Sequence, residues 1–515
     1  MIIIDIAHIA DIMKITICFG INEVKKMFVK ATPESVGISS RQILKYLKVL
    51  DSHSLFSHSV LIARGDKLIC EAYWKPFEAD TKHRMYSQTK SYVGIAVRLL
   101  ADEGKISLDD KIISYFPDKL PEKIHPYLEA MTIRNMLMMR TCFDEGSINW
   151  FTSDTDDRVK LYFSQKPALY PGTQYRYDSM GSFVLGALVE RLTGKLFLDY
   201  LRDKCLREIG YSEDAYCLKC PGGHSWADSA LICTPIDMLK FGRLVGCYGE
   251  WEGRQIFPRH IVEDALKDFS DCYTCGFRSY DHRGYSSQLW NFYGNAIGFN
   301  GMHDQQTFYD PDTDITFTCT SGNYRSPDSR EILISYLFSE IIETAGESMD
   351  EDAEAYAELQ NYIGNLNLIT AYGAKMSPLE KELDGRRFIA EENKMGITEF
   401  SFKFGDECEF RYKNAQGDKT IRFGRGENIF QPFPQTGYSG EIGGKVCEGH
   451  TYNCAASGAW GCDNQLKILV QIIDEYIGGL YINFAYRDGH GRVRMVGDGE
   501  HFLTEYDGPM NAVIE

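Results

Sequence analysis

The chain has 515 residues, of which 44% are hydrophobic and 25% charged, a composition typical of a folded protein with two or three domains. Its formal net charge of −18 argues against nucleic acid or an anionic membrane as the main partner. Fifteen cysteines, an odd count scattered through apparent core segments, fit free thiols in a reducing compartment better than a disulfide framework.

Residues 1–30 predict a short extension ahead of the first domain. Asp5, Asp11 and Lys14 interrupt its apolar stretches, and it lacks the basic start, unbroken apolar run and small-residue cleavage site of a signal peptide. No later segment has the length and apolarity that a membrane span requires. We therefore expect a cytoplasmic protein.

Residues 31–346 predict one α+β domain. Apolar runs over 59–63 and 67–73, separated by Arg64-Gly65-Asp66, predict a β-hairpin. Apolar periodicity and stop signals predict helices over 87–104, 132–139, 179–192 and 235–248. Strand patterns return over 305–309 and 315–320, and a helix over 329–344 follows. Strands at both ends with helices between them indicate an antiparallel sheet flanked by helices, with a helical lobe and a cleft between the two.

Two further regions follow this domain. Residues 347–376 begin with an acidic run that predicts a solvated linker or a helix. Over 377–515, apolar residues alternate with polar ones, as at Phe400, Phe402 and Phe404, and glycine-rich turns separate the runs. This period of two predicts a separate antiparallel β domain, barrel-like in form. Its role stays open between limiting access to the cleft, binding an apolar ligand and forming a dimer surface.

The tetrad Ser87-Gln88-Thr89-Lys90 opens the apolar run of the first predicted helix. Residues three apart lie on one face of a helix, so the Ser87 hydroxyl and the Lys90 amine become neighbours. The helix N-terminus adds unpaired backbone N–H groups and the positive end of the helix dipole. The segment can supply a nucleophile, a base and part of an oxyanion site, although many helices carry S-x-x-K by chance.

A second candidate is the loop Pro171-Gly-Thr-Gln-Tyr-Arg-Tyr177, which leads into the helix predicted over 179–192. Tyr177 can act as a base in the cleft if a nearby ammonium lowers its pKa. The chain has 31 tyrosines, however, and most tyrosines anchor loops by packing and one hydrogen bond. The residues alone leave both roles open for Tyr177.

Six segments in a fixed order along the chain together carry a resemblance. They are Ser87-Gln-Thr-Lys90, Leu108-Asp-Asp110, Thr132-Ile-Arg-Asn-Met-Leu137, Pro171-Gly-Thr-Gln-Tyr-Arg-Tyr177, Thr234-Pro-Ile-Asp-Met238 and Gly301-Met-His-Asp-Gln305. This set resembles the serine β-lactamases and penicillin-binding proteins, and among them the class C-like esterases, D-peptidases and amide hydrolases. The resemblance covers about 31–346 and implies a β-lactamase/transpeptidase-like fold.

The resemblance also implies roles for single residues. Ser87 is expected to be the acylated nucleophile, and Lys90 to take or relay its proton. Tyr177 is expected to be the general base in acylation and to protonate the leaving group. The oxyanion site is expected to use the Ser87 N–H and one from the strand that begins near Gln305. This chemistry needs no metal or cofactor, and we expect none.

Two departures from the family pattern bear on the substrate. Related proteins usually carry Tyr-x-Asn, whereas this chain has Tyr177-Asp178-Ser179, and the shorter Ser179 needs a water to reach Lys90 or a substrate carbonyl. Asp304 occupies the place where a glycine is expected, so we expect it to repel anionic substrates. His303 beside it either assists the acyl-enzyme step or is purely structural.

Two other patterns have alternative interpretations. Cys217-Leu-Lys-Cys220 and Cys272-Tyr-Thr-Cys275 are spaced like zinc ligands. The long gap between the pairs and the abundance of cysteine favour coincidence, and we predict no metal. The loop around Trp226 lies between predicted helices, and we expect it to line the cleft, with Trp226 in the substrate wall.

Taken together, the residues and the resemblance predict a serine hydrolase that works through an acyl-enzyme. The expected substrate is a small neutral or cationic ester, amide or peptide rather than a penicillin carboxylate. The alternative is a degenerate relative that binds a ligand or partner without turnover. The expected partner is a small-molecule substrate, with no nucleic acid and no membrane, and a homodimer is the expected assembly if there is one.

Overall fold

The computed structural model describes residues 28–144, 155–272, 284–292, 295–323, 326, 328–462 and 464–515. Residues 1–27 of the predicted extension lie outside these ranges, and so does Cys275.

An antiparallel sheet built from both ends of the N-terminal domain organises its fold. The strands, in chain order, are β1 (Val29–Lys30), β2 (Ser57–Arg64), β3 (Lys67–Tyr73), β4 (His83–Arg84), β5 (Tyr216–Cys217), β6 (Leu231–Cys233), β7 (Glu250–Trp251), β8 (Arg254–Gln255), β9 (Gly284–Ser286), β10 (Leu289–Asn291), β11 (Ile297–Gly301), β12 (Gln305–Asp310) and β13 (Ile315–Ser321). Within the described residues, eight of them form one sheet in the order β1-β3-β2-β13-β12-β11-β10-β9. Only the β1–β3 pair among these described strands is parallel.

Helices cover this sheet and build the lobe beside it. They are α1 (Ser40–Ser52), α2 (Thr89–Asp102), α3 (Pro126–Ala130), α4 (Ile133–Leu137), α5 (Arg158–Phe163), α6 (Ser179–Thr193), α7 (Phe197–Leu201), α8 (Pro235–Gly246), α9 (His260–Leu266) and α10 (Ser329–Leu337). Local signals set several of the ends: Asp178 caps α6 by accepting from the Gly181 N–H at 2.8 Å, and Gly194 ends it at a φ of 68°. Helix α2 is buried on nearly every side, as its apolar sequence requires.

The predicted elements of this domain are confirmed, with small differences at their ends. The hairpin is β2–β3, and the two later predicted strands are β12 and β13. The helix predicted over 87–104 begins at Thr89, because a 3₁₀ turn over Tyr86–Gln88 precedes it. The helix predicted over 329–344 is regular only to Leu337 and continues as a π-helical turn over Phe338–Ile342.

The acidic segment after this domain contains helix α11 (Ala353–Gly364), which packs against α1. Leu359 on α11 is fully buried, and the Tyr362 hydroxyl donates to Asp51 on α1. Lys48 on α1 forms an exposed ion pair with Glu358. Of the two alternatives for this segment, the helix is therefore the one that forms.

The C-terminal region is a closed barrel. Its elements are α12 (Glu380–Leu383), β14 (Arg387–Ala390), β15 (Glu399–Lys403), β16 (Cys408–Asn414), β17 (Gly417–Arg425), β18 (Ile429–Pro432), β19 (Asn453–Cys462), β20 (Gln465–Ile473), β21 (Ile477–Arg487), β22 (His490–Asp498), α13 (His501–Thr504) and β23 (Asp507–Ile514). In the described residues, nine strands form the ring β17-β16-β15-β14-β23-β22-β21-β20-β19, which a parallel β17–β19 pairing closes. Phe388, Phe400, Phe402 and Phe484 pack together inside it, as the alternating pattern predicts.

The barrel docks on the N-terminal domain beside the start of α2. At the turn between β20 and β21, the Glu475 carbonyl accepts from the Arg84 N–H of β4 at 2.8 Å. A loop of the barrel domain runs along Lys219, which exchanges backbone hydrogen bonds with Glu441 and Gly443. Buried apolar side chains of both domains belong to one continuous cluster. The first of these contacts lies only three residues before Ser87 in the chain.

Candidate active site

Ser87 lies in the 3₁₀ turn that precedes α2, and Lys90 lies on the first turn of that helix. The Lys90 ammonium donates to the Ser87 hydroxyl oxygen at 2.9 Å. It also donates to the backbone carbonyl of Asp228 at 2.7 Å, and its side chain is buried. The spacing of three residues therefore gives the contact that the sequence predicts, with the amine held from a second side.

The residue just before Ser87 has a strained backbone. Tyr86 has a φ of 47°, a left-handed conformation that a bulky side chain adopts at a cost of about 1–3 kcal/mol. The Tyr86 carbonyl accepts from the Thr89 hydroxyl at 2.7 Å, and the Thr89 oxygen in turn accepts from the Leu231 N–H. These bonds hold the turn in the conformation that brings Ser87 to Lys90.

Tyr177 comes to the same place from the loop before α6. The Lys90 nitrogen lies 5.1 Å from the centre of the Tyr177 ring. The ring stacks on Trp290 of β10, with centroids 6.1 Å apart, and meets the edge of Tyr285. The structure thus brings Ser87, Lys90 and Tyr177 together and lines the tyrosine with aromatic rings.

Asp178 and Ser179 follow Tyr177 at the start of α6. The Asp178 carboxylate caps the helix and also accepts from the hydroxyls of Thr141 and Tyr162, each at 2.9 Å. Burial raises the pKa of Asp178, while these hydrogen bonds and the nearby Lys90 oppose the rise. Ser179 is the first residue of the helix and is half-buried. The cap fixes the position of the loop that carries Tyr177.

Asp304 is a buried carboxylate with an arginine partner. Its carboxylate is buried and accepts from Asn323 at 3.1 Å, from the Ser329 hydroxyl at 2.5 Å and from Arg330 at 3.3 Å. Arg330 therefore compensates its charge. This ion pair argues against the expected repulsion of anionic substrates, and its partners lie in a segment that the local motif does not include.

Gln305 and His303 of this motif have different surroundings. The Gln305 amide donates to the carbonyls of Met302, His303 and Ser321, which ties β12 to β13. His303 has a φ of 59°, its Nδ1 lies 3.3 Å from the Asn323 carbonyl, and its ring meets the edge of the Tyr86 ring. His303 is thus next to the nucleophile turn, whereas the Gln305 side chain points into the sheet.

The strand end that touches the nucleophile turn is that of β11. A Cβ atom on Gly301 would lie 2.3 Å from the Met85 carbonyl oxygen, so only glycine permits this approach. The sequence predicts the second oxyanion donor near Gln305, which pairs with Gly301 at this end of the sheet. A glycine closing a short apolar strand is the signal that could have shown the close approach of β11.

Trp226 is not part of a substrate wall, and that prediction is wrong. Its side chain is 2% exposed and lies between the guanidinium groups of Arg84 and Arg158, which are 4.5 and 5.2 Å from its ring. Gly443 of the barrel domain lies against the same ring. The loop that carries Trp226 is therefore covered by the C-terminal domain.

Asp228 is a neighbour of Lys90 that sequence reasoning missed. Its side chain is 3% exposed, and Oδ1 has no hydrogen-bond partner among the residues that the structure describes. Burial raises the pKa of Asp228, and the charges of Lys90, Arg158 and Arg84 oppose the rise. No local motif marks this carboxylate, because only the fold brings it to α2.

The cysteine pairs do not come together as a metal site in the described ranges. Cys217 donates to the Trp226 carbonyl, and Arg158 donates to the Cys220 sulfur at 2.8 Å. Cys272 belongs to a different core cluster from these two residues. Among the described residues, no group of three or more His, Cys, Asp or Glu could hold a metal ion. In the same residues, no helix combines the length and apolarity of a membrane span.

An S-x-x-K pair on the first turn of a core helix, between an antiparallel sheet and a helical lobe, defines the β-lactamase/transpeptidase-like fold. The family model described as Beta-lactamase matches residues 44–335, more than half of the chain. The protein therefore belongs to the beta-lactamase family, and the resemblance stated from the motifs is confirmed.

Comparison with known proteins gives remote relatives. The 6-aminohexanoate-dimer hydrolase of Paenarthrobacter ureafaciens is 27% identical over 293 residues, which are 52% of this chain and 73% of that protein. Among solved structures, the D-amino acid amidase of Ochrobactrum anthropi has a TM-score of 0.48 at 17% identity, and the match covers 59% of this chain and 99% of the amidase. An octameric penicillin-binding protein homologue of Pyrococcus abyssi has a TM-score of 0.46 at 15% identity, and the match covers 92% of this chain and 99% of that protein.

Proposed function

We propose that this protein is a serine hydrolase that forms an acyl-enzyme on Ser87. The observation that carries the proposal is the 2.9 Å contact between the Lys90 nitrogen and the Ser87 oxygen, with the Tyr177 ring 5.1 Å from the same nitrogen. A hydroxyl is a weak nucleophile unless a base lies within hydrogen-bond distance. Lys90 lies within that distance of Ser87, and the Tyr177 ring lies next to Lys90.

In the proposed reaction, one member of the Lys90–Tyr177 pair is unprotonated. The Ser87 oxygen attacks the substrate carbonyl, and its proton passes to that member of the pair. The tetrahedral oxyanion is stabilised by backbone N–H groups of the nucleophile turn and of the strand end at Gly301. Tyr177 then returns the proton to the leaving oxygen or nitrogen as the carbonyl re-forms. Water attacks the acyl-enzyme in a second cycle with the same groups, releases the acid and restores the Ser87 hydroxyl.

The substrate is proposed to be a small ester or amide. The relative from Paenarthrobacter is named a 6-aminohexanoate-dimer hydrolase, and a dimer of an amino acid supports an amide as one choice. The half-buried Tyr177 ring, which packs against the buried rings of Tyr285 and Trp290, favours an apolar group next to the scissile bond. Because Arg330 compensates Asp304, the site gives no reason to prefer cationic over neutral substrates.

The test is covalent labelling of the full-length protein with a fluorophosphonate probe, followed by identification of the modified residue. We expect one label on Ser87 and its loss in Ser87→Ala. Ser91→Ala is the matched control, because Ser91 is a buried serine one turn further on α2 whose hydroxyl donates to the Gln288 carbonyl. Labelling that is absent from the wild type, or that persists in Ser87→Ala, contradicts the proposal and favours a non-catalytic binding protein.

A further inference from the structure

The barrel domain places one buried carboxylate against the nucleophile turn. Glu500, which follows β22, is 2% exposed and accepts a hydrogen bond from the Tyr86 hydroxyl. It also accepts from Arg84 at 3.1 and 3.3 Å. Both partners belong to the N-terminal domain and lie one and three residues before Ser87. A carboxylate this deeply buried needs such partners.

The first contact controls the residue with the strained backbone. Tyr86 holds its left-handed φ of 47° while its hydroxyl donates to Glu500 and accepts from the Ile477 N–H at 3.4 Å. The barrel therefore holds the Tyr86 side chain at two points, and Thr89 holds its carbonyl from within the N-terminal domain. Strain of this kind persists only where the surroundings fix the residue.

The contact between Glu500 and Arg84 connects Glu500 to the surroundings of Lys90. The Arg84 guanidinium that binds Glu500 also donates to the Ser229 carbonyl at 2.9 Å and to the Ser229 hydroxyl at 3.0 Å. The residue before Ser229 is Asp228, whose carbonyl accepts from the Lys90 ammonium. Glu500 thus binds Tyr86, which precedes Ser87 in the chain. Through Arg84 it also holds Ser229, which follows the residue whose carbonyl binds Lys90.

From these two connections we infer that Glu500 is a positioning residue for the Ser87–Lys90 pair, so that the C-terminal barrel is part of the catalytic apparatus. This inference rests on the proposed function. Glu500 does not touch the substrate; it sets the distance and angle between the hydroxyl and the amine by holding the two segments that carry them. Misplacement of a nucleophile by about 1 Å typically lowers rates by about 100-fold.

The inference predicts a specific kinetic pattern for substitutions in the full-length chain. We expect Glu500→Ala to lower the rate of fluorophosphonate labelling of Ser87, and kcat on a p-nitrophenyl ester, by about 10- to 100-fold, with KM changed by less than about three-fold. Glu500→Gln keeps an acceptor for Tyr86 and is expected to recover most of that loss. Tyr86→Phe keeps the Arg84–Glu500 ion pair and tests the first connection alone, with an expected loss of about ten-fold.

The matched control is Tyr216→Phe. It removes another hydrogen bond between the two domains, from the Tyr216 hydroxyl to the Glu475 carboxylate at 2.5 Å, without touching Tyr86 or Arg84. We expect Tyr216→Phe to lower Tm but to label at the wild-type rate. If Glu500→Ala does not fold, Glu500→Gln and Tyr86→Phe decide the question.

The outcomes separate the two proposals. Folded Glu500 and Tyr86 variants that label as fast as Tyr216→Phe overturn the positioning role while leaving the hydrolase intact. The positioning role is also overturned if Glu500→Gln is no better than Glu500→Ala, because the loss then does not depend on the acceptor. A wild-type protein that does not label on Ser87 instead overturns the proposed function itself.

Discussion

The Lys90 ammonium lies between the Ser87 hydroxyl and the backbone carbonyl of Asp228, at 2.9 and 2.7 Å. The carbonyl fixes the amine without carrying a full charge, so the nitrogen stays directed at the serine. The sequence predicts only the first of these contacts. The second comes from a loop 138 residues further along the chain, and it makes Lys90 a rigid rather than a flexible partner.

We expect Lys90→Ala to lower kcat for a p-nitrophenyl ester by about 100- to 10,000-fold, because one of the two groups that move the Ser87 proton is lost. Lys48→Ala is the control, since Lys48 contacts α11 alone through an exposed ion pair with Glu358 and through the Tyr362 ring, 5.6 Å from its nitrogen. We expect its kcat to stay within about two-fold of wild type. Steady-state kinetics with both variants would check this. A Lys90→Ala enzyme within about three-fold of wild type would exclude the proposed proton transfer.

For Tyr177→Phe, we expect a loss of about 100-fold or more in kcat with little change in Tm, because the ring keeps its stacking on Trp290 and only the hydroxyl is removed. Tyr285→Phe is the matched control for Tyr177→Phe. Tyr285 belongs to the same aromatic cluster, and its hydroxyl donates to Gln288 Oε1 at 3.3 Å. Equal losses in the two variants would show that the Tyr177 hydroxyl has no role of its own in the reaction.

Gly301→Ala is expected to lower activity by about ten-fold or more, because the added Cβ would lie 2.3 Å from the Met85 carbonyl oxygen and push the end of β11 off the nucleophile turn. Gly364→Ala is the control, since a Cβ at the end of α11 meets nothing within 4 Å. Activity and circular dichroism of both variants would measure the effect. A fully active Gly301→Ala protein would mean that this strand end does not contribute to the oxyanion site.

Asp304→Asn is expected to destabilise the protein by about 1–3 kcal/mol, because the charge partner of Arg330 is lost from a buried position. It should not change the ratio of kcat/KM for anionic and neutral esters, since the ion pair already compensates the carboxylate. Urea denaturation and a pair of matched esters would test the two parts. A selective gain on the anionic ester would restore the interpretation of Asp304 as a repelling charge.

The parts of the site that could be predicted from sequence are those fixed by local geometry. The i, i+3 spacing sets the Ser87–Lys90 contact, and Asp178 and Gly194 mark both ends of α6. The barrel follows from the alternation of residues such as Phe400 and Phe402, because that period assigns the faces of every strand. These features depend only on interactions between residues that are close together in the chain.

What sequence reasoning missed or misjudged depends on distant partners. The charge of Asp304 is compensated by Arg330 from α10, and Trp226 is buried by Gly443 from the barrel domain. Glu500 lies more than 400 residues from Ser87, yet it accepts from the residue beside it. Each of these side chains appears ordinary in its local segment, because its role is set by tertiary contacts that no motif encodes.

The buried carboxylate of Asp228 makes a prediction about pH. Burial raises its pKa in the folded protein above the ordinary carboxyl value of 3.8, so the folded state binds more protons than the unfolded state at pH values just above 3.8. The contribution of Asp228 to the free energy of unfolding therefore falls as pH rises from 3.8 through the raised pKa, and it is constant above the raised pKa.

Asp228→Asn removes this dependence while keeping the carbonyl that accepts from Lys90. We expect the stability of the variant relative to wild type, from urea denaturation, to increase between pH 4 and pH 7. Asp178, whose pKa is also raised by burial, is unchanged in both proteins and cancels in the difference. A stability difference that is constant or decreases with pH would show that Lys90, Arg84 and Arg158 keep the Asp228 carboxylate charged at no cost to the fold.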